Sequence, residues 1–171
     1  MLFVATVLFP PFRSVVVKDK FGEEFLVRQY YHEKDREKLI EMYVNYDPNY
    51  RCLGLPPLSR TAIEKWIDYL GQNGFSIIAE KDGKVVGHLV IVPDDKNRVD
   101  LTIFVHQNYQ DRGLGQEMMK LIIEYCKNAG FDGITLVTER TNVRAIHVYK
   151  KLGFEVVAPY YEFDMYLPLK K

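Results

Sequence analysis

Gln110-Asp111-Arg112-Gly113-Leu114-Gly115 lies between an apolar run, Val99 to Val105, and a segment where Leu114, Met118, Leu121, Ile122 and Tyr125 recur at helical spacing. Gln116, Lys120, Glu124 and Lys127 fall on the opposite side of that segment, and Gly130 follows it. The run therefore reads as a strand, the segment as an amphipathic helix, and the quoted residues as the turn between them. Glycines there let the backbone turn tightly, so that N–H groups without intrahelical partners converge on an anion where the helix dipole also favours negative charge. This is the chemistry of a diphosphate cradle. A Walker loop would need Gly-Lys-Ser/Thr, but Gln116-Glu117 follows Gly115, and a dinucleotide fingerprint would need a third glycine where Met118 stands.

Nearer the N-terminus, Val15 to Val17 and Phe25 to Val27 read as a hairpin across Lys18-Asp19-Lys20-Phe21-Gly22. Helical spacing appears around Leu39, Ile40 and Tyr43, and again at Ile63, Trp66, Ile67 and Leu70. Between these two helices lies Asn45 to Ser59, a Pro- and Tyr-rich loop long enough to suggest a function. Ser76 to Glu80, Val85 to Val92 and Val99 to Val105 form a three-strand meander. After the central helix come a buried-strand candidate, Ile134 to Val137, a helix from Asn142 to Leu152 closed by Gly153, and two more strands between Glu155 and Leu167. The order predicts a mixed α+β fold.

The 171 residues suit one compact domain. Lys plus Arg and Asp plus Glu each number 23, with ten of each before Gly74, so charge gives no support to capture of nucleic acid or an anionic membrane. Cys52 and Cys126 lie far apart with no metal-ligand spacing, which predicts neither a disulfide framework nor a metal site, and a cytoplasmic setting. Met1 to Pro10 is apolar but too short to span a bilayer, and reads as an extra strand or docking segment.

With these elements in place, the sequence resembles the GNAT superfamily of acyl-CoA-dependent N-acetyltransferases. Its phosphate signature, Gln/Arg-x-x-Gly-x-Gly/Ala, is matched by Gln110, Gly113 and Gly115. A second block, Asn-x-x-Ala-x-x-x-Tyr-x-x-x-Gly-Phe, is matched by Asn142, Ala145, Tyr149, Gly153 and Phe154. The resemblance implies a twisted, mostly antiparallel sheet of about seven strands with a splayed parallel pair, about four helices, and an N-terminal hairpin. Residues 1–22 would be an N-terminal extension and 23–171 the acetyltransferase domain. It further implies acetyl-CoA as co-substrate, without a metal, and a primary amine as acceptor by direct attack in a ternary complex; a homodimer is compatible with it.

In such a fold the pantetheine arm would enter the gap between Val99 to Val105 and Ile134 to Val137, meeting unpaired backbone near Phe104 and Val105. The diphosphate would meet Gln110, Arg112, Gly113, Leu114, Gly115 and Gln116. Asn142 and Tyr149, about 10 Å apart along one helix face, would hold the arm and protonate the leaving thiolate; Asn142 alone reads as an N-cap, unless Thr141 takes that duty. A base is needed to neutralise the amine. Asp100 is the leading candidate, with Glu139 behind it and His106 a solvent-facing turn residue. For the acceptor the resemblance points to Tyr46, Asp47, Tyr50, Arg51 and Pro56-Pro57 in the loop, and to Tyr160, Tyr161 and Glu162. Tyr50 and Tyr161 are the expected contacts. The faint likeness of the hairpin to protein-lysine acetyltransferases favours a peptide amine over polyamines, amino sugars or aminoglycosides. The alternatives are a small-molecule acetyltransferase and a non-catalytic acyl-CoA sensor, and Tyr149 argues against the latter.

Overall fold

The structure, a computed structural model, describes residues 9–159 and 162–170. Strands β1 (Val15–Lys18) and β2 (Glu24–Gln29) form the hairpin. Its turn closes because the Asp19 carboxylate accepts the N–H groups of Phe21 and Glu23, each at 2.9 Å. Helices α1 (His32–Val44) and α2 (Arg60–Asn73) follow, then the meander β3 (Phe75–Lys81), β4 (Lys84–Pro93) and β5 (Arg98–Val105). The remaining elements are α3 (Leu114–Ala129), β6 (Gly133–Glu139), α4 (Val143–Lys151), β7 (Glu155–Pro159) and β8 (Glu162–Pro168).

Among the described residues the eight strands join one sheet in the order β1-β2-β3-β4-β5-β6-β8-β7. The sheet of about seven strands and the N-terminal hairpin expected from the resemblance are both present, and the hairpin continues the sheet, β2 pairing with β3 from Leu26↔Glu80 to Gln29↔Ile77. Every adjacent pair is antiparallel except β5 and β6. That parallel pair holds over only three positions, Arg98↔Gly133, Val99↔Ile134 and Asp100↔Thr135, after which the strands diverge. The splay is as expected.

Two cores cover the two faces. One holds the apolar stripe of α3, Leu114, Met118, Met119, Ile122 and Tyr125, against β4, β5 and β6. Tyr149 of α4 also packs there, on Phe154 with ring centroids 6.0 Å apart. Phe9 stacks on Phe75 at 5.1 Å, and the Tyr125 hydroxyl donates to the Pro10 carbonyl, so the described part of the N-terminal segment docks on this core. The other core seats α1 and α2, with Tyr43, Tyr46 and Trp66 edge-on to Phe104 of β5. Buried within it, His88 bridges the Tyr43 hydroxyl, 2.6 Å from Nδ1, and the Ser76 hydroxyl, 3.0 Å from Nε2. Burial pushes its pKa down to about 3, so the ring is neutral. The start of α1 is set by Arg28, whose guanidinium donates two bonds, 2.8 and 2.7 Å, to the fully buried Asp35 carboxylate.

Candidate active site

Where β5 leaves β6, a cleft with room for about 540 Å³ opens between the two strands. Its walls follow from hydrogen-bond alternation. The His106 N–H bonds the Val86 carbonyl, and the antiparallel register Gly87↔Val105 then turns the even-numbered residues of β5 toward β4. Main-chain groups of Leu101, Ile103 and Val105 consequently face the gap. Phe104 lines the cleft with its ring, but its backbone is paired toward His88, so of the two expected backbone sites only Val105 faces the opening. Even there the Val105 carbonyl is taken, accepting the Gln110 Nε2–H at 2.8 Å, while the same nitrogen lies 3.3 Å from the Tyr46 hydroxyl. Gln110 thus braces the end of β5 rather than offering its side chain to a phosphate.

At the wide end, Gly113 adopts φ 84° as the N-cap of α3, a left-handed conformation that strains any residue with a Cβ. No side chain among the described residues caps this helix, so the first-turn N–H groups of Leu114, Gly115 and Gln116 open toward the cleft. A Cβ on Gly115 would meet Val105 Cγ2 at 3.5 Å and Ile103 Cδ1 at 3.8 Å, partly filling the passage from cradle to gap. Arg112 is placed apart from this group. Its guanidinium turns to the hairpin, 3.5 Å from Asp19 and 3.3 Å from Glu23, and its carbonyl accepts the Lys20 N–H. The hairpin therefore buttresses the cradle turn. Arg144 of α4 pairs with Asp111 across the rim, a contact between separate sequence blocks that neither block announces.

Helix α4 runs back along β6 and presents Asn142, Ala145, Val148 and Tyr149 to the cleft. The capping expectation for Thr141 is not met: Asn142 has the N-cap position and its side-chain oxygen accepts the Ala145 N–H at 3.4 Å. The bond engages the oxygen and not the side-chain amide hydrogens. Burial, with Cys52 nearby, pushes the Tyr149 hydroxyl up to about 12, and nothing among the described residues hydrogen-bonds it. The hydroxyl is therefore neutral throughout the physiological range. On the other wall Thr138 of β6 is 2% exposed, and its Oγ1 has no hydrogen-bond partner among the described residues.

Asp100 sits at the vertex, on the face of the sheet that carries α1 and α2, and Thr135 donates to its Oδ1 at 2.8 Å. Partial desolvation raises its carboxyl above the ordinary range, with Asp164 and Asp94 adding to the rise and the Thr135 bond opposing it. The other two base candidates have structural duties. Glu139 accepts the Leu53 N–H at 3.0 Å, and His106 Nε2 lies 3.1 Å from the Asn45 carbonyl. Both tie down the loop from Asn45 to Ser59, which crosses the splay and brings Tyr50, Cys52, Leu53 and Leu55 over its α1 and α2 side. Asp47 donates its N–H to Gln107, and Arg51 holds the loop in shape through the Pro56 and Gly54 carbonyls. Tyr160 and Tyr161 lie outside the described residues; Glu162 faces Glu139 across β6 and β8. Sequence reading missed Cys52, Leu53 and Thr138 as cleft residues. For Thr138 the signal was a hydroxyl in phase with Ile134 and Leu136, on the inward side of the strand, where Thr135 is out of phase.

An uncapped helix N-terminus, a strand with unmatched backbone and an orphaned buried hydroxyl along one channel fit a ligand with a diphosphate head and an extended, amide-bearing arm. Acetyl-CoA has that form. The profile of the acetyltransferase (GNAT) family matches residues 39–154. The L-amino acid N-acetyltransferase of Escherichia coli K12 is 39% identical over 85 residues, 47% of this chain and 52% of that protein, so the match spans about half of that relative's length. The spermidine N(1)-acetyltransferase of the same organism is 28% identical over 135 residues, 75% of this chain and 67% of the relative. Among solved structures, the GNAT domain of S. lividans PAT superposes with a TM-score of 0.76 at 14% identity, covering 91% of this chain and 96% of that one. The structure of yncA from Salmonella typhimurium with its cofactor acetyl-CoA superposes at 0.71 and 18% identity, covering 87% and 96%. Among the described residues no group of His, Cys, Asp and Glu is arranged to hold a metal, and no helix is long and apolar enough to cross a membrane. The chain belongs to the acetyltransferase (GNAT) family.

Proposed function

We propose that this enzyme acetylates the primary amine of a small molecule by direct attack within a ternary complex. The observation that carries the reading is the roof over the acceptor side. The loop from Asn45 to Ser59 is fastened at one end by His106 and Gln107 beside β5 and at its middle by Glu139 of β6, so it spans both arms of the splay. A roof anchored on both sides encloses an acceptor the size of a metabolite and obstructs a folded protein, which shifts the expectation away from a peptide amine. The amino acid and spermidine acceptors named for two of the relatives agree with this size class.

Bound acetyl-CoA supplies the activated thioester carbonyl. The uncapped amides of Leu114, Gly115 and Gln116 hold the diphosphate, while the backbone of Ile103 and the Asn142 amide align the arm. An amine with a pKa of about 10.4 is neutral in only about one molecule in 2,500 at pH 7, a handicap of about 4.6 kcal/mol. Asp100, at the vertex on the acceptor face, takes up the proton as the amine attacks; its raised pKa makes it a better acceptor than an ordinary carboxylate. Tyr149, on the opposite face, donates a hydrogen bond to the departing sulfur. The two groups thus serve opposite ends of one transfer from opposite sides of the sheet. The test is release of free thiol from acetyl-CoA with a panel of amino acids, polyamines, amino sugars and lysine peptides. Small amines are expected to give the higher kcat/KM; a peptide used roughly a hundredfold more efficiently than every small amine, about 2.7 kcal/mol in discrimination, would overturn the reading.

A further inference from the structure

We infer that Thr138 is a binding residue for the pantetheine arm of acetyl-CoA, its hydroxyl serving an amide of the arm that the main chain alone leaves unmatched. The inference rests on the acetyl-CoA reading of the cleft. Thr138 Oγ1 is buried and has no partner among the described residues, while Thr138 itself is one of the residues that line the cleft. A buried hydroxyl without a partner costs about 1–3 kcal/mol, so a site that keeps one unmatched is completed by something that enters.

Position along the channel says which part of the ligand reaches it. Strand β6 ends at Glu139 and α4 begins at Val143, so the helix doubles back beside the strand. At about 3.3 Å per strand residue and 1.5 Å per helix residue, Thr138 is level with the first turn of α4, near Asn142, and Tyr149 lies about 10 Å deeper. Thr138 is therefore between the diphosphate cradle and the thioester, at the depth of the arm's amides. Across the gap the Val105 carbonyl is already bonded by Gln110, so β5 has one acceptor fewer than a full strand would offer. The Thr138 hydroxyl, which both donates and accepts, supplies a polar contact from the facing strand.

Thr138→Val keeps the shape and removes the hydroxyl. Calorimetric titration is expected to show acetyl-CoA bound about tenfold more weakly than by the unaltered enzyme, about 1.4 kcal/mol. Adenosine 3′,5′-bisphosphate, which lacks the arm, should bind both proteins equally, and Thr138→Ser should keep acetyl-CoA affinity within about threefold. Without ligand the Val variant should melt a few degrees higher, because its buried polar group has gone. Equal acetyl-CoA affinity in the Val variant and the unaltered enzyme would overturn the assignment of Thr138 alone, as would an equal loss for the arm-free nucleotide. Failure of the unaltered enzyme to bind acetyl-CoA would instead remove the functional reading beneath it.

Discussion

Replacing Tyr149 with Phe isolates one hydroxyl in the reaction. Burial and the adjacent Cys52 push that hydroxyl up to about 12, whereas an ordinary thiol has a pKa of about 8.5. Complete proton transfer from the phenol to the departing thiolate is therefore uphill by about 3.5 units, close to 5 kcal/mol. In the proposed mechanism the stabilisation from Tyr149 is consequently a charge-assisted hydrogen bond, formed as negative charge builds on sulfur and worth about 1.5–3 kcal/mol. The ring packs on Phe154 and would do so equally as phenylalanine, so the fold and the acetyl-CoA affinity should stay as they are. Single-turnover thiol release, with acetyl-CoA and the best amine saturating, should slow by about 10- to 150-fold. Because the donor stays neutral past pH 10, the same substitution should leave the alkaline side of the pH-rate profile unmoved. A single-turnover rate within about threefold of the unaltered enzyme would refute the role and leave Tyr149 as a packing residue.

Asp100→Asn should abolish the acidic limb of kcat/KM, a limb the raised carboxyl places above the ordinary range for aspartate, and lower turnover by one to three orders of magnitude, roughly the range for loss of a general base; an unchanged limb in the variant removes Asp100 from the mechanism. Glu139→Ala frees Leu53 and should raise the acceptor KM several-fold, roughly the loss of one charge-assisted bond, while acetyl-CoA affinity holds; steady-state kinetics with each substrate varied decide this. His88 is neutral when folded, with a pKa near 3 against 6.5 unfolded. Its contribution is whole above pH 6.5 and drains as pH falls toward 3, by at most roughly 5 kcal/mol. Denaturant titrations from pH 7 to 4 should show that decline, and a decline of the same size in His88→Gln would exclude His88 as its source. Gly113→Val should weaken acetyl-CoA at least roughly tenfold through strain at φ 84°, and unchanged calorimetric affinity in a cooperatively melting variant would contradict the cradle.

The parts of the fold that the sequence discloses are those where a local rule and the global structure agree. Gly113 and Gly130 bound α3, its apolar stripe packs as spaced, and Ile134 to Val137 is a strand because an apolar run between a glycine stop and a cap has little else to become. Asn142 and Tyr149 share a helix face for the same periodic reason. Long-range commitments of polar side chains are invisible at that level. Gln110 and Arg112 stand two residues apart in the phosphate signature, yet one braces Val105 and the other leaves for Asp19 and Glu23, some ninety residues away in the chain. The course of the loop was equally illegible, since the Leu53 bond to Glu139 joins a main-chain N–H, which carries no sequence signal, to a carboxylate 86 residues on. The hairpin was recognisable, but its extension of the main sheet depends on β3, which alternation within the hairpin does not report.

The divergence of β5 from β6 has a meaning for solubility as well as catalysis. Two strands that part within a sheet create interior edges, with main-chain donors and acceptors arrayed to recruit any extended segment, including one from another chain. Proteins ordinarily blunt such edges at the periphery with charge, proline or a covering element. Here the protective devices are internal: Gln110 blocks the last carbonyl of β5, and the roofing loop, with Pro56 and Pro57 in its descent, obstructs one approach. The same coverings that admit one slender thioester arm thus screen the chain against β-pairing with its neighbours, and a weakened roof would be felt first as self-association at high protein concentration.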